Sequence, residues 1–246
     1  MRWEEASLLE ERNRKVALLF RSADDIVRTS EEFEMRGIRT IPFEAIEIVC
    51  SSDSDLESEV GKADYIIFIS RNAVMCSAPH INAGMVKARI IATGMSTAKL
   101  LEEMGFGVAF APSIGGIGAV LEWLKNEPHG RVAVLCESRS DFDFTRLEEK
   151  GFSFSKQAAY EAKPRKMSMD LAKVLAATHA ALFSPLEVES MKSSADNDTL
   201  AALRKLKAVC LGKKTYDAAS LIFDNVALAR RNSIASVADG IAGDLD

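Results

Sequence analysis

The sequence predicts an α/β protein of two similar lobes, each with a parallel sheet, joined by a two-stranded linker. Three observations predict it. Short apolar runs alternate with stretches of helical period along nearly the whole chain, as when each strand passes to a helix before the next strand pairs in parallel. One strand-turn-helix motif occurs twice, with Gly94 and Gly212 in matching places about 118 residues apart. The second copy of the wider pattern lacks an opening strand and helix, and the N-terminal segment has one of each to spare.

Taken in order, Lys15–Arg21 (KVALLFR) reads as a buried strand. Asp24 and Asp25 open a helix that runs to Arg36 and stops at Gly37. Ile38–Val49 is extended, and Pro42, which cannot donate to a ladder, is expected to mark the point where the chain leaves its sheet. Ser51–Ser54 is a polar loop. Tyr65–Ser70 is a strand and Asn72–Ile81 a helix. The run Ile90–Ala92 ends at Thr93-Gly94, and Leu100, Leu101 and Met104 then mark a helix closed by Gly105. Gly107–Ala111 is a strand stopped by Pro112-Ser113, followed by a helix over Ile114–Lys125. Arg131–Glu137 is a strand, Phe142–Lys150 a helix ended by Gly151, and Phe152–Glu161 is extended. The last third predicts helix Ser168–Thr178, strand Ala180–Ser184, helix Leu186–Ser193, strand Lys207–Leu211, helix Lys213–Leu221, strand Asn225–Ala229 and a closing helix Ser233–Leu245.

The repeat sets the domain expectation. YIIFISRNAV resembles AALFSPLEVES, ATGMSTAKL resembles CLGKKTYDAAS, and FAPSIGGIGAVL resembles ARRNSIASVADGI. The N-terminal segment is therefore expected to complete the second copy. One lobe would be residues 15–41 with 162–246, the other 48–157, with crossings at 42–47 and 158–161 and an exposed helical extension over 1–14. Ligand sites often lie at such junctions.

Composition excludes several classes. A net charge of −5 argues against general nucleic-acid binding, which needs a basic footprint, while leaving room for a locally basic cleft. No apolar run reaches the ~20 residues that span a bilayer, and the charged start is unlike a secretory leader. A cytoplasmic, monomeric protein without a membrane partner is expected. Cys50, Cys76, Cys136 and Cys210 are far apart and lie mostly in apolar runs, which reads as buried free thiols. His80, His129 and His179 lack metal-ligand spacing, so no metal is expected.

In open parallel sheets, ligands bind beyond the carboxyl ends of the strands. The residues predicted there are Arg21, Ser70, Arg71, Asn72, Gly94, Ser96, Thr97, Ser113, Ser138, Arg139, Ser184, Gly212, Lys213, Thr215 and Ser233. They are hydroxyls, glycines and bases, the donors an anionic ligand needs. For any single Ser or Thr a helix cap with no ligand is the better reading; it is their recurrence in both lobes that points to an anion site. Gly212-Lys213-Lys214-Thr215 is not a P-loop, because the required earlier glycine is Lys207. SIGGIG is not a dinucleotide fingerprint, and no Ser/His/Asp set is readable. Tyr160 lies on an expected crossing strand. A phenol, with an ordinary pKa near about 10, keeps its proton and can donate it to a leaving hydroxyl; the alternative is a half-buried strand aromatic.

These residues together resemble the uroporphyrinogen-III synthase family from Lys15 onward. The features are LFRS with IPFEAIEI, YIIFISRNAV, ATGMSTAKLLEEMG, the Ser113 turn, CESR with RLEEKGF, AAYEA, ALFSP, LGKKT and RNSIASVADGI. The resemblance implies two flavodoxin-like lobes on a two-stranded linker, with the first and last segments sharing a lobe. It implies cyclisation of hydroxymethylbilane, a linear tetrapyrrole with eight carboxylates, to uroporphyrinogen III with inversion of the terminal ring and loss of water. It implies no cofactor. It places Tyr160 at the family tyrosine, assisting hydroxyl departure, and Thr215 at the family threonine, with Thr97 its counterpart. The chain departs from the family at Arg71, at Tyr216 and in LIFDNVALA, which lacks a usual glycine. Two other readings stay open: a non-catalytic two-lobe binder or sensor of an anionic metabolite, and an inactive synthase relative. A receiver-like signalling protein would place an acidic cluster where Ser and Gly stand.

Overall fold

The computed structural model describes residues 15–52, 56–114, 116–140, 143 and 145–243. The predicted extension over 1–14 lies outside them. By its internal contacts the chain divides into two compact units, a central one, Ile48–Ala162, and a terminal one made of the chain up to Glu47 and from Lys163 onward.

In the central unit the chain runs β3 (Ile46–Cys50), α2 (Leu56–Gly61), β4 (Tyr65–Phe68), α3 (Arg71–Ser77), β5 (Arg89–Ala92), α4 (Met95–Glu103), β6 (Val108–Phe110), α5 (Gly116–Leu124), β7 (Arg131–Glu137), α6 (Thr145–Glu148) and β8 (Ser153–Pro164). Its sheet has the order β3-β8-β7-β4-β5-β6, and β4 to β8 are parallel wherever they pair. β4 shows why such strands are apolar throughout. Ile66 and Phe68 enter one core with Ile90, Leu101 and Leu135, while Tyr65 and Ile67 enter the opposite one with Val132, Val134 and Leu124.

The terminal unit holds β1 (Val16–Arg21), α1 (Ala23–Glu34), β2 (Arg39–Glu44), α7 (Leu171–Leu175), β9 (His179–Leu182), α8 (Pro185–Ser194), α9 (Asn197–Arg204), β10 (Lys207–Cys210), α10 (Lys213–Ala219), β11 (Asn225–Leu228) and α11 (Ile234–Gly243). Its five-stranded sheet, β11-β10-β9-β1-β2, is parallel throughout. Ala17 and Leu19 meet Phe33, Ala181, Val209, Val237 and Ile241 in one core. Both sheets share one spatial arrangement: a run of three neighbouring strands (β4-β5-β6, β9-β10-β11) stands beside a run of two in the opposite direction (β7-β8, β1-β2). The two runs meet between β4 and β7 in the central sheet and between β9 and β1 in the terminal sheet.

Several expectations need correction. Pro42 does not leave the sheet; it pairs opposite Leu19 inside β2. The amides of Arg39 and Ala45 both point to β1, onto Lys15 and Arg21 carbonyls. Even-numbered residues between them face outward, and β2 is an edge strand, so a missing N–H at 42 costs no ladder bond. The cysteines are not all free. Cys136 and Cys210 are buried thiols, but Cys50 and Cys76 form a disulfide, their Cα atoms 5.1 Å apart; the pairing of β3 at the sheet edge carries Cys50 to α3. Helix α3 stops at Ser77 and passes into a 3₁₀ turn, Ala78–His80, where Pro79 has no amide to continue the α-helical ladder. Helices α6 and α7 are shorter than their sequence patterns, and α2 and α9 were not expected. Helix α9 is signalled by Asp196, whose carboxylate accepts the Thr199 amide at 2.8 Å.

The glycine stops are where the sequence places them. Gly37, Gly105 and Gly151 all have positive φ, each followed by an amide that reaches back to the helix, as Phe152 does to Leu147. At Gly37 a Cβ would meet nothing, whereas at Gly151 it would come within 2.9 Å of the His129 ring, which rests on Phe152. Gly37→Ala should cost about 1–2 kcal/mol from backbone conformation alone, and Gly151→Ala a further ~1–3 kcal/mol from overpacking. Urea unfolding of the two variants measures this; equal losses would contradict the steric difference.

Candidate functional site

Where neighbouring parallel strands send their connections to opposite faces, a crevice opens at their carboxyl ends, and ligands bind there. In the central unit that point is reached by Ser70 after β4 and Ser138 after β7. In the terminal unit it is reached by Ser184 after β9 and by Arg21 at the end of β1. The next strand outward carries a glycine in each case: Gly94 after β5 and Gly212 after β10.

The four turns repeat in backbone as well as sequence. Ser70 and Ser184 cap α3 and α8 with φ/ψ of −153/166° and −148/155°. Gly94 and Gly212 stand at the N-caps of α4 and α10, where a glycine supplies no side-chain cap. Both carry a buried threonine three residues on: Thr97 is 5% and Thr215 3% exposed. Neither threonine caps its helix. Met95, Ser96, Lys213 and Lys214 are the exposed residues of these turns.

The two switch points then diverge. At the terminal one, the S-x-x-E spacing of Ser184 and Glu187 forms a capping box. Ser184 Oγ accepts the Glu187 amide at 3.3 Å, and Glu187 Oε2 accepts the Phe183 amide at 2.6 Å. Arg21 bridges Glu187 (3.3 Å) and Asp25 (3.2 Å) and lies 4.3 Å above the Phe183 ring. Burial pushes Glu187 up to about 7 against the pull of Arg21 and the Phe183 and Ser184 amides. Burial also opposes ionisation of Asp25, but Arg21 and Arg28 outweigh it and hold that carboxyl below its usual range. Arg21, a sequence candidate, is thus committed to two carboxylates. Glu187 and Asp25 were not candidates, although the capping-box spacing was legible.

At the central switch point Ala73 stands where Glu187 would. Ser70 Oγ accepts the Ala73 amide at 3.2 Å and lies 3.1 Å from the Tyr160 hydroxyl. Tyr160, on β8, is 8% exposed, and its carbonyl accepts the Ser138 amide at 2.8 Å. Arg71 reaches sideways and donates to the Ser96 carbonyl at 3.1 Å, joining the serine turn to the glycine turn. The structure therefore brings Ser70, Arg71, Ser96 and Tyr160 together. Arg139 turns back to the Ala162 carbonyl (2.5 Å) and toward Glu161 and Glu137. Lys213 pairs with Asp217, and Ser113 is exposed in a bend after β6.

Two cavities, of about 510 and 350 Å³, lie elsewhere. One is lined by Lys192, Arg204 and Asp224 and the other by Val60, Ile81 and Lys87, at the amino ends of the strands. Among the described residues no three His, Cys, Asp or Glu side chains gather as a metal site, and no helix is long and apolar enough to cross a membrane.

Over residues 27–239 the sequence matches the family described as "Uroporphyrinogen-III synthase HemD". The chain belongs to that family. Two solved uroporphyrinogen-III synthase structures share its fold. The Helicobacter pylori enzyme aligns with a TM-score of 0.57 at 16% identity, covering 94% of this chain and 100% of that one. A mutant of the Thermus thermophilus enzyme aligns with a TM-score of 0.53 at 16% identity, covering 94% and 99%. No curated protein matches the sequence. The uroporphyrinogen-III synthase family consists of enzymes, and the two-lobed α/β fold predicted from the sequence is that of these structures.

The buried Glu187 gives a pH test. Its folded value of about 7 lies above the ordinary 4.5, so its contribution to stability is complete below about 4.5 and is lost as pH rises through 7. The difference of 2.5 pH units, from 4.5 to about 7, at 1.36 kcal/mol each sets an upper limit of about 3 kcal/mol. Wild type should lose stability relative to Glu187→Gln between pH 5 and 8 in urea unfolding. A constant difference would contradict the raised value.

Proposed function

We propose that this chain catalyses the uroporphyrinogen-III synthase reaction, closing hydroxymethylbilane to uroporphyrinogen III with inversion of the terminal ring and loss of water. It would act as a cofactor-free hydro-lyase in tetrapyrrole biosynthesis. The single observation that carries this reading beyond family membership is the Tyr160 hydroxyl 3.1 Å from Ser70 Oγ at the central switch point.

Ser70 already accepts the Ala73 amide, and its remaining hydrogen is free to point at Tyr160. When it does, Ser70 is the donor of the pair. With Ser70 as donor, negative charge on the phenol oxygen is stabilised as it develops. Tyr160 gives its phenolic proton to the terminal hydroxyl of the bilane, which leaves as water. The resulting azafulvene-type cation closes at the substituted carbon to a spiro intermediate, which fragments and recloses with the ring turned over. The proton lost from carbon as the last ring regains its aromaticity restores the phenol. The enzyme has to restrict geometry more than supply a strong acid, because the free bilane closes unaided without inversion.

The substrate's carboxylates are assigned to the remaining donors. These are the first-turn amides after Gly94 and Gly212, the hydroxyls of Ser96 and Ser113, and Arg71 and Lys213. Ser184, Arg21 and Arg139 support the turns around them. Thr97 and Thr215, buried beneath the glycine turns, serve by fixing where those amides point.

The test supplies enzymatically generated hydroxymethylbilane and separates the product isomers. Isomer III above the spontaneous isomer I is expected; isomer I alone would reduce the chain to a binder of anionic ligands. Tyr160→Phe should slow isomer III formation by about 10²-fold with the fold retained by circular dichroism. Unchanged turnover would remove Tyr160 from the reaction.

A further inference from the structure

We propose that Cys50 and Cys76 form a thiol–disulfide switch that holds the Ser70 turn against Tyr160. Its effect on turnover rests on the role given to Tyr160 above; its effect on the turn itself does not. Helix α3 has only seven residues, too short to be stable unaided. Its first turn is held by the Ser70 cap and by Arg71 on the Ser96 carbonyl. Its last turn contains Cys76 and passes at once into the 3₁₀ turn with Pro79, and there the Ser77 hydroxyl is buried without a hydrogen-bond partner. The disulfide is the covalent anchor of that end.

The other half of the anchor sits beside the catalytic strand. Cys50 is the last residue of β3, which neighbours β8 in the sheet, and the next amide, that of Ser51, donates to the carbonyl of Ala159, adjacent to Tyr160, at 3.0 Å. One covalent bond thus ties the strand next to Tyr160 to the helix that begins at Ser70. The arrangement also has a point of attack. Cys50 is exposed, whereas Cys76 is 3% exposed. Cys136 and Cys210 do not compete, since both are buried in strands and burial keeps their thiols protonated.

The reductant is a dithiol. Its thiolate attacks Cys50 Sγ, forming a mixed disulfide and releasing the Cys76 thiolate, which takes up a proton. The second thiolate of the reductant attacks its own partner sulfur, expels the Cys50 thiolate and leaves the reductant as a disulfide. Two electrons and two protons pass to the protein. Re-oxidation by a small disulfide such as oxidised glutathione reverses the exchange.

The test compares the full chain after oxidised glutathione and after dithiothreitol, by thiol counting in denaturant, amide exchange mass spectrometry and isomer III formation. Two free thiols are expected in the first form and four in the second. On reduction, exchange over residues 70–77 should quicken about tenfold and isomer III formation should slow by a similar factor. Cys50→Ser, a change at an exposed position, should behave as the reduced form under either treatment. Four thiols after oxidation, or unchanged exchange on reduction and in Cys50→Ser, would overturn the switch. Faster exchange with undiminished isomer III would overturn its control of the site. If neither form makes isomer III, the proposed reaction fails instead, and the exchange data alone decide whether the disulfide holds the turn.

Discussion

A parallel sheet whose strand order reverses must send two neighbouring strands' connections to opposite faces, and this leaves a gap at their carboxyl ends. Both units of this chain meet that constraint at the same place in the same strand order. The positions of Ser70, Ser138 and Tyr160 in one, and of Arg21, Ser184 and Glu187 in the other, follow from it. Serine at the nearer turn caps a helix with its side chain, and glycine at the farther turn supplies no side-chain cap. The repeat is thus a repeat of hydrogen-bond supply at one sheet edge, as well as of strands and helices.

Two copies of one turn have gone separate ways through a single position. Glu187 fills the third helical position of the terminal copy, takes the Phe183 amide and draws in Arg21, so that gap is closed by a buried ion pair with an aromatic floor. Such a pair adds rigidity at a desolvation cost, and it engages both terminal nitrogens of Arg21 while the Arg21 Nε stays buried without a hydrogen-bond partner. Ala73 in the central copy leaves that helical position without a carboxylate. The serine hydroxyl there lies 3.1 Å from the Tyr160 phenol. Chemistry that needs shape and one weak acid is suited to the second arrangement.

What the sequence made legible had local causes. Helix stops at Gly37, Gly105 and Gly151 were readable because positive φ is a property of one residue. The strands were readable because burial on both faces demands unbroken apolar runs, as in KVALLFR and YIIFIS. The paired glycine turns were readable because their repeat keeps the same spacing. The features that escaped depend on residues distant in sequence or on context. Ser70 and Tyr160 are 90 positions apart. The disulfide depends on β3 joining a sheet edge, and the harmless placement of Pro42 depends on which way one amide faces. Glu187 sits at a local capping-box spacing, but an acid is opposite in kind to the hydroxyls and bases that an anionic ligand needs, so the donor pattern does not point to it.

The central claim is that Ser70 and Tyr160 act as one unit, the serine orienting and polarising the phenol. A double-mutant cycle on isomer III turnover with Ser70→Ala, Tyr160→Phe and both together tests it most directly. The account predicts that the double variant is no slower than Tyr160→Phe alone, since Ser70 has nothing to orient once the phenol is gone. Losses that multiply would show two independent contributions and contradict it.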